Sequence, residues 1–246
     1  MKRVLLFALV LLCACTSGKR ALQKGNYEDA ILKAINRLRS SPNNDKARET
    51  LREGYPLTRE FHMTRVNNLR NSAEPFRYEG VLASYEAMGR LDAEIRRCPA
   101  CMQEVPDSRS YITEINQTRQ LAAAERYDAG VAAMNRDNFR ESAREAFLHF
   151  RTANDLVPNF RDVHQQMQQS KFEATLKVVF EQIPVHSRTF GLSNEFFQNQ
   201  INRFVSSERM NEFVQFFTPA EAQKVNLRNP DQIVRMQFDD FVVGQI

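Results

Sequence analysis

Cys98-Pro99-Ala100-Cys101 is the sharpest chemical motif in the chain. Two thiols separated by two residues at a helix start can exchange disulfides, because that position lowers the pKa of the first thiol. A redox centre of the thioredoxin type needs a strand just before the motif, whereas residues 90–97 read as helix. Three readings of Cys98 and Cys101 stay open: a local structural disulfide, which the helical context favours, an inert unpaired couple, or a thiol–disulfide exchange site. Zinc needs four ligands, and no second CxxC or nearby His supplies them, so neither a metal nor any other cofactor is expected. His62, His149, His164 and His186 are not spaced as ligand pairs and read as helix-face or loop residues. Asp239 and Asp240 are adjacent, so on a strand they point to opposite faces and cannot work as an acid and base pair. GxSxG, P-loop and GxGxxG patterns are absent. No enzymatic activity is expected.

These residues sit in a chain whose first fifteen positions carry an address. Lys2 and Arg3 precede a nine-residue apolar core at 4–12, then Leu12-Cys13-Ala14-Cys15. That core is about half of the ~20 residues a membrane-crossing helix needs, so 1–14 reads as a removable export signal. Its ending resembles the lipobox of bacterial lipoproteins: Leu, a variable residue, a small residue, then the acceptor Cys. The resemblance implies that Cys15 carries a thioether-linked diacylglycerol as the acylated N-terminus. At about 0.8 kcal/mol per buried methylene, two or three acyl chains hold a protein on a membrane almost indefinitely. Thr16-Ser17-Gly18-Lys19-Arg20 contains neither an inner-membrane retention Asp nor the acidic cluster of surface-exposed Bacteroidetes lipoproteins. The expected location is the periplasmic side of the outer membrane. Without Lys2 and Arg3 the chain has 32 basic and 30 acidic residues, a net of +2, which favours no nucleic acid or polybasic membrane surface. Eighteen Phe and no Trp indicate a core built from Phe, Leu and Val.

Residues 15–173 read as a helical domain. Gly25-Asn26-Tyr27 opens a helix with Ala30, Ile31 and Leu38, ended by Ser41-Pro42-Asn43-Asn44. This resembles the second half of a tetratricopeptide repeat, with Gly at the inter-helix turn, an aromatic opening the helix and Ala twelve residues before Pro. Gly18 falls on the small-residue position of that repeat's first helix. Residues 45–72 and 75–97 read as two more helical stretches, the first broken or kinked at Gly54-Tyr55-Pro56. A further hairpin is written by Ala122, Ala129, Ala133 and Met134, then Phe139, Ala143, Ala146, Phe147, Phe150, Ala153 and Val157 at steps of three and four. The expected fold is mainly α, with stacked antiparallel helical hairpins of tetratricopeptide type; an irregular helical bundle is the alternative.

The period changes near residue 175, where 174–246 reads as a small α/β module. Leu176-Lys177-Val178-Val179-Phe180 is β-branched and strand-like. Ser193 caps a helix with Phe196, Phe197, Ile201, Phe204 and Val205, and residues 212–217 form a second strand. Thr218-Pro219-Ala220-Glu221 opens a short helix, and 232–244 is a third strand. The β-α-β-α-β order, with Asp240-Phe241-Val242-Val243-Gly244 at its end, resembles the opening half of the domain shared by curli-secretion-channel lipoproteins and TolB amino-terminal domains. Those domains continue beyond the phrase, so the module is expected either to be truncated or to dock a partner at its edge.

The sequence is identified with envelope lipoproteins of the Bacteroidetes type. The function it implies is a lipid-anchored periplasmic interaction scaffold or assembly factor with an envelope protein as partner. The alternatives are a ring-forming subunit of an outer-membrane secretion or export apparatus, for which a homo-oligomer stays open, and a CxxC thiol–disulfide protein. Candidate partner-binding positions are Asn67, Asn68, Asn116, Arg119 and Asn135, polar residues on the inner helices.

Overall fold

A computed structural model describes residues 27–136, 139–182, 203 and 211–236. The signal at 1–14, Cys15, Gly18, the Gly25-Asn26 turn, Asp137-Asn138, His186, the Ser193-capped helix apart from Arg203, Asp239, Asp240 and the closing phrase through Gly244 lie outside the described residues. The architecture is mainly helical with one small three-stranded parallel sheet. The described residues form two compact units. The first takes those up to Asp128 with Thr152–Phe160; the second takes Ala129–Arg151 and those from Arg161 on.

In the first unit, α1 (Tyr27–Ser40) buries Ala30, Ile31, Ala34, Ile35 and Leu38, the three-and-four spacing of a single helix face. Glu28 and Asp29 in its first turn and Arg37 and Arg39 in its last complement the helix dipole. Helix α2 (Asp45–Arg70) follows after a short connection, its start capped by the Asn44 side chain, which accepts from the Ala47 amide at 3.0 Å. Pro56 lies inside α2, which runs on as one helix, so of the break or kink expected at Gly54-Tyr55-Pro56 the break does not occur. Proline removes one ladder hydrogen bond there. Leu51 and Tyr55, fully buried on one side of it, and Thr58, whose hydroxyl donates to the Gly54 carbonyl at 2.8 Å, hold the turn in place.

Helix α3 (Arg77–Arg96) enters from Phe76, a left-handed residue with φ 57°, and buries Val81, Leu82, Tyr85, Met88 and Leu91. The six-residue α4 (Pro99–Glu104) is capped by Cys98, whose sulfur accepts from the Cys101 amide at 3.3 Å. Helix α5 (Ile112–Met134) follows a loop. Ile31, Ile35, Leu51, Val66, Met88, Leu91, Ile95, Cys98, Cys101 and Tyr111 share one core, and each large aliphatic there contributes about 1.5–3 kcal/mol on burial.

The second unit carries most of α6 (Phe139–Leu156), α7 (Val163–Ala174), β1 (Leu176–Gln182), β2 (Val214–Phe217), α8 (Pro219–Lys224) and β3 (Gln232–Met236). Ala143, Phe147, Ala174 and Phe213 form its core, with the Phe147 and Phe213 rings edge to face at 5.4 Å. Phe139 departs from the expected apolar stripe: it is 64% exposed at the start of α6. A side chain on Gly130 would meet the Phe150 ring at 2.7 Å, so glycine permits that close approach. Strand β1 is central, parallel to β2 and to β3, in the order β2-β1-β3. Val178, Val179 and Phe180 are buried on both of its faces, as in a covered parallel sheet. Thr218 and Glu221 form a capping box at α8. No helix among the described residues is long and apolar enough to cross a membrane.

Candidate docking groove

Helix α2 has apolar residues on two faces. Leu51, Tyr55, Thr58, His62 and Val66 turn inward. One step around the helix, Leu57 is 45% exposed and Phe61 51% exposed. These two line an open groove of about 540 Å³ with Tyr27, Glu60, Thr64, Arg65, Asn68 and Leu69. Leu57, Phe61, Thr64 or Arg65, and Asn68 recur at steps of three and four, so one helix face forms the floor. Tyr27, the first residue of α1, belongs to the same lining.

The floor is held from beneath. The His62 ring lies edge to face with Phe61 at 5.2 Å, and its Nε2 is 3.1 Å from the Glu28 carboxylate. Burial pushes the His62 imidazole below its ordinary pKa; nearby Arg65 and Arg90 act in the same direction, and Glu28 opposes them. His62 is therefore neutral near pH 7.

Farther along the unit, Asp92 of α3 is fully buried. Its Oδ1 accepts from the Tyr55 hydroxyl at 2.9 Å, the Ser108 hydroxyl at 2.6 Å and the Arg109 amide at 3.2 Å. Burial first, and then the Asp92 carboxylate, raise the Tyr55 phenol above its ordinary pKa. Helix α4 is clipped to α2 by Glu104, which accepts from Arg48 at 2.8 Å and Arg52 at 2.5 Å. The Arg52 hydrogen bond, reinforced by Arg48, holds that carboxyl below the usual range.

Asn68 lines the groove and Asn67 is exposed beside it on α2. Asn116 is exposed on α5. Arg119, one step along α5, is committed to Glu86 of α3 at 2.7 Å, an interhelix brace rather than a free contact residue. Asn135 is exposed in the turn after α5, within the second unit. Cys98 and Cys101 are disulfide-bonded at 2.09 Å, and they are 1% and 0% exposed. Thiol exchange needs an attacking thiolate to reach sulfur, and that burial withholds access. Among the described residues no group of His, Cys, Asp and Glu could hold a metal ion.

Sequence reasoning missed Leu57, Phe61 and Asp92. The i, i+4 spacing of Leu57 and Phe61 was an available signal; nothing near Asp92 marks it as buried. No protein-family model matches the chain, and neither a curated protein nor a solved structure matches it.

Proposed function

We propose that this chain is a lipid-anchored scaffold or assembly factor for a cell-envelope complex. It is held through Cys15 on the periplasmic side of the outer membrane and works by docking a partner protein. Tetratricopeptide-like hairpins form the docking body, and a β-α-β-α-β module follows. The observation that carries the reading is the open apolar groove on α2, where Leu57 and Phe61 stay half exposed although the neighbouring helix face is fully packed. Such a groove suits the apolar face of an amphipathic helix, with anchors at i, i+3 and i+4. Thr64, Asn68, Arg65 and Glu60 flank it with hydrogen-bonding groups of balanced charge.

The groove offers modest energy. Half of the burial of a Leu and of a Phe remains, on the order of 1 kcal/mol each. A millimolar complex already needs about 4 kcal/mol. Docking there works with further contacts or a raised local concentration.

The test places a photoreactive phenylalanine analogue at position 61 of the acylated chain in cells. Adducts to one envelope protein, lost when Leu57→Asp is added, are expected. Adducts joining copies of this chain alone would favour the export-ring alternative, and adducts indifferent to Leu57→Asp would overturn the groove as the docking site. Metabolic labelling with palmitate reads the anchor separately: a Cys15→Ser chain is expected to lose the label.

A further inference from the structure

We propose that His62 is an acid-operated latch on the first turn of α1: when its imidazole takes up a proton, that turn leaves α2 and Tyr27 leaves the groove lining with it. The proposal concerns the seam between α1 and α2 and stands whatever the groove holds.

His62 is 4% exposed on α2, yet neither ring nitrogen completes a hydrogen bond among the described residues. The Glu28 carboxylate, 3.1 Å from Nε2, is close enough to attract a charge without completing that bond. Charged groups face the ring from three elements: Glu28 from α1, Arg65 from α2 itself and Arg90 from α3. A neutral imidazole is tolerated in this setting. An imidazolium is not, because a buried charge is costly unless it is paired and hydrogen-bonded. The two guanidinium groups act in the same direction as burial, and Glu28 only partly offsets them.

The way out lies on the α1 side. Arg65 and Arg90 repel an imidazolium and Glu28 draws it. The Glu28 side chain is 42% exposed, so water already reaches that side of the ring. Tyr27, Glu28 and Asp29 are only half-buried, and the core anchors of α1 begin at Ala30 and Ile31. A helix end held this lightly opens at lower cost than the packed middle of the unit. Once the turn has opened, the imidazolium is hydrated and Glu28 still attracts it, so the proton stabilises the open form. Tyr27 belongs to the groove lining, and acid therefore withdraws one wall of the groove.

Hydrogen exchange at Ile31, Leu32 and Lys33 reads the latch, because amides at these positions of an α-helix bond back to the carbonyls of Tyr27, Glu28 and Asp29. With an ordinary His pKa of about 6.5 in the open form, the opening equilibrium should rise by up to about tenfold from about pH 7.5 to about pH 5.5. The full chain should show that rise in the three amides after correction for the intrinsic pH dependence of exchange. At the lower pH their exchange should also be nearly insensitive to urea below the unfolding transition, since a local opening exposes little surface, whereas exchange at Met88 and Leu91 in α3 should quicken with urea. His62→Gln should abolish the rise. Glu28→Gln, at a half-exposed site, should leave a rise at least as large, because the group that opposes burial is gone. The absence of a rise in the unaltered chain would overturn the latch. A rise that survives in His62→Gln, or one that disappears in Glu28→Gln, would do the same by assigning the proton to another group. Equal urea sensitivity in α1 and α3 would also overturn it, since the first turn would then open only when the whole unit unfolds.

Discussion

Tyr55 of α2 donates its hydroxyl proton to the buried Asp92 of α3 at 2.9 Å, and the same carboxylate oxygen fastens the loop that leads into α5 through Ser108 and the Arg109 amide. One atom therefore ties two helices and a loop together inside the first unit. A hydrogen bond to a charged group contributes about 1.5–3 kcal/mol. Tyr55→Phe should lower stability by roughly that amount. Asp92→Ala should cost more, because it strands three donors at once. Urea unfolding of the three chains measures both. If Asp92→Ala is no worse than Tyr55→Phe, the loop is held by packing alone.

The Cys98–Cys101 bond closes a loop of four residues, for which the chain-entropy relation gives about 2 kcal/mol. Replacing both cysteines with Ala, which strands no hydroxyl in the core, should reduce stability by about that much. The same burial should protect the bond in the folded protein. Treatment with a dithiol followed by alkylation and mass measurement should label neither cysteine in native buffer and both in denaturant. Rapid native labelling would revive the exchange-site reading of the motif.

Much of the fold was written locally, and the signals that failed were non-local. The Thr218-Pro219 opening of α8 depends on neighbours within four residues, and it stands where the sequence puts it. Pro56 does not break α2, and the local proline rule has no knowledge of Leu51 and Tyr55 before it and Thr58 after it, all buried in the packed face. The groove was half legible. Asn68 was named, but α2 carries two apolar stripes, and which one faces the core is decided by the helices packed against it. Arg119 read as a free polar position because its partner, Glu86, lies 33 residues away.

His62 makes the first unit acid-sensitive. Its folded pKa is lowered, chiefly by burial, so between the ordinary value of about 6.5 and that lowered value the unfolded chain binds more protons than the folded one. Stability is full above about pH 6.5 and falls as pH drops through that window. Thermal melts from pH 7.5 downwards should show the loss starting near pH 6.5, with His62→Leu flattening that part of the profile. Glu104, also lowered, contributes in a separate window that begins only below the ordinary Glu value of about 4.3. If His62→Leu leaves the slope near pH 6 intact, the sensitivity belongs to another group.

Phe61 separates docking from folding. Half exposed, with its ring against His62, it has little core packing to lose, so Phe61→Asp should lower the free energy of unfolding by no more than about 1 kcal/mol. It should nevertheless abolish crosslinking from a neighbouring probe at position 64, because a carboxylate in the floor must be desolvated when a partner's apolar face arrives. A large stability loss would place Phe61 in the core instead.

In the second unit, Asp231 sets the start of the β1–β3 pairing. Its side chain accepts from the Lys177 amide at 2.7 Å, its own amide donates to the Lys177 carbonyl at 2.9 Å, and Arg140 of α6 reaches it at 2.5 Å. The Lys177 amide bond is the main reason its carboxyl sits below the usual range, with Arg140 next. A side chain that bonds both a strand amide and a helix guanidinium fixes where β3 enters the sheet. Asp231→Ala should therefore speed hydrogen exchange at the Lys177 amide about 10- to 100-fold, the equivalent of roughly 1.5–3 kcal/mol for a charged hydrogen bond. Asp231→Asn keeps an acceptor oxygen and should lose less. Because the lowered pKa makes the stabilising form the carboxylate, the wild-type protection should hold above about pH 4 and fade as pH drops through the lowered value, whereas Asp231→Asn should be flat there. Equal exchange in all three chains would mean that the parallel ladder from Val178 onward sets the register without Asp231.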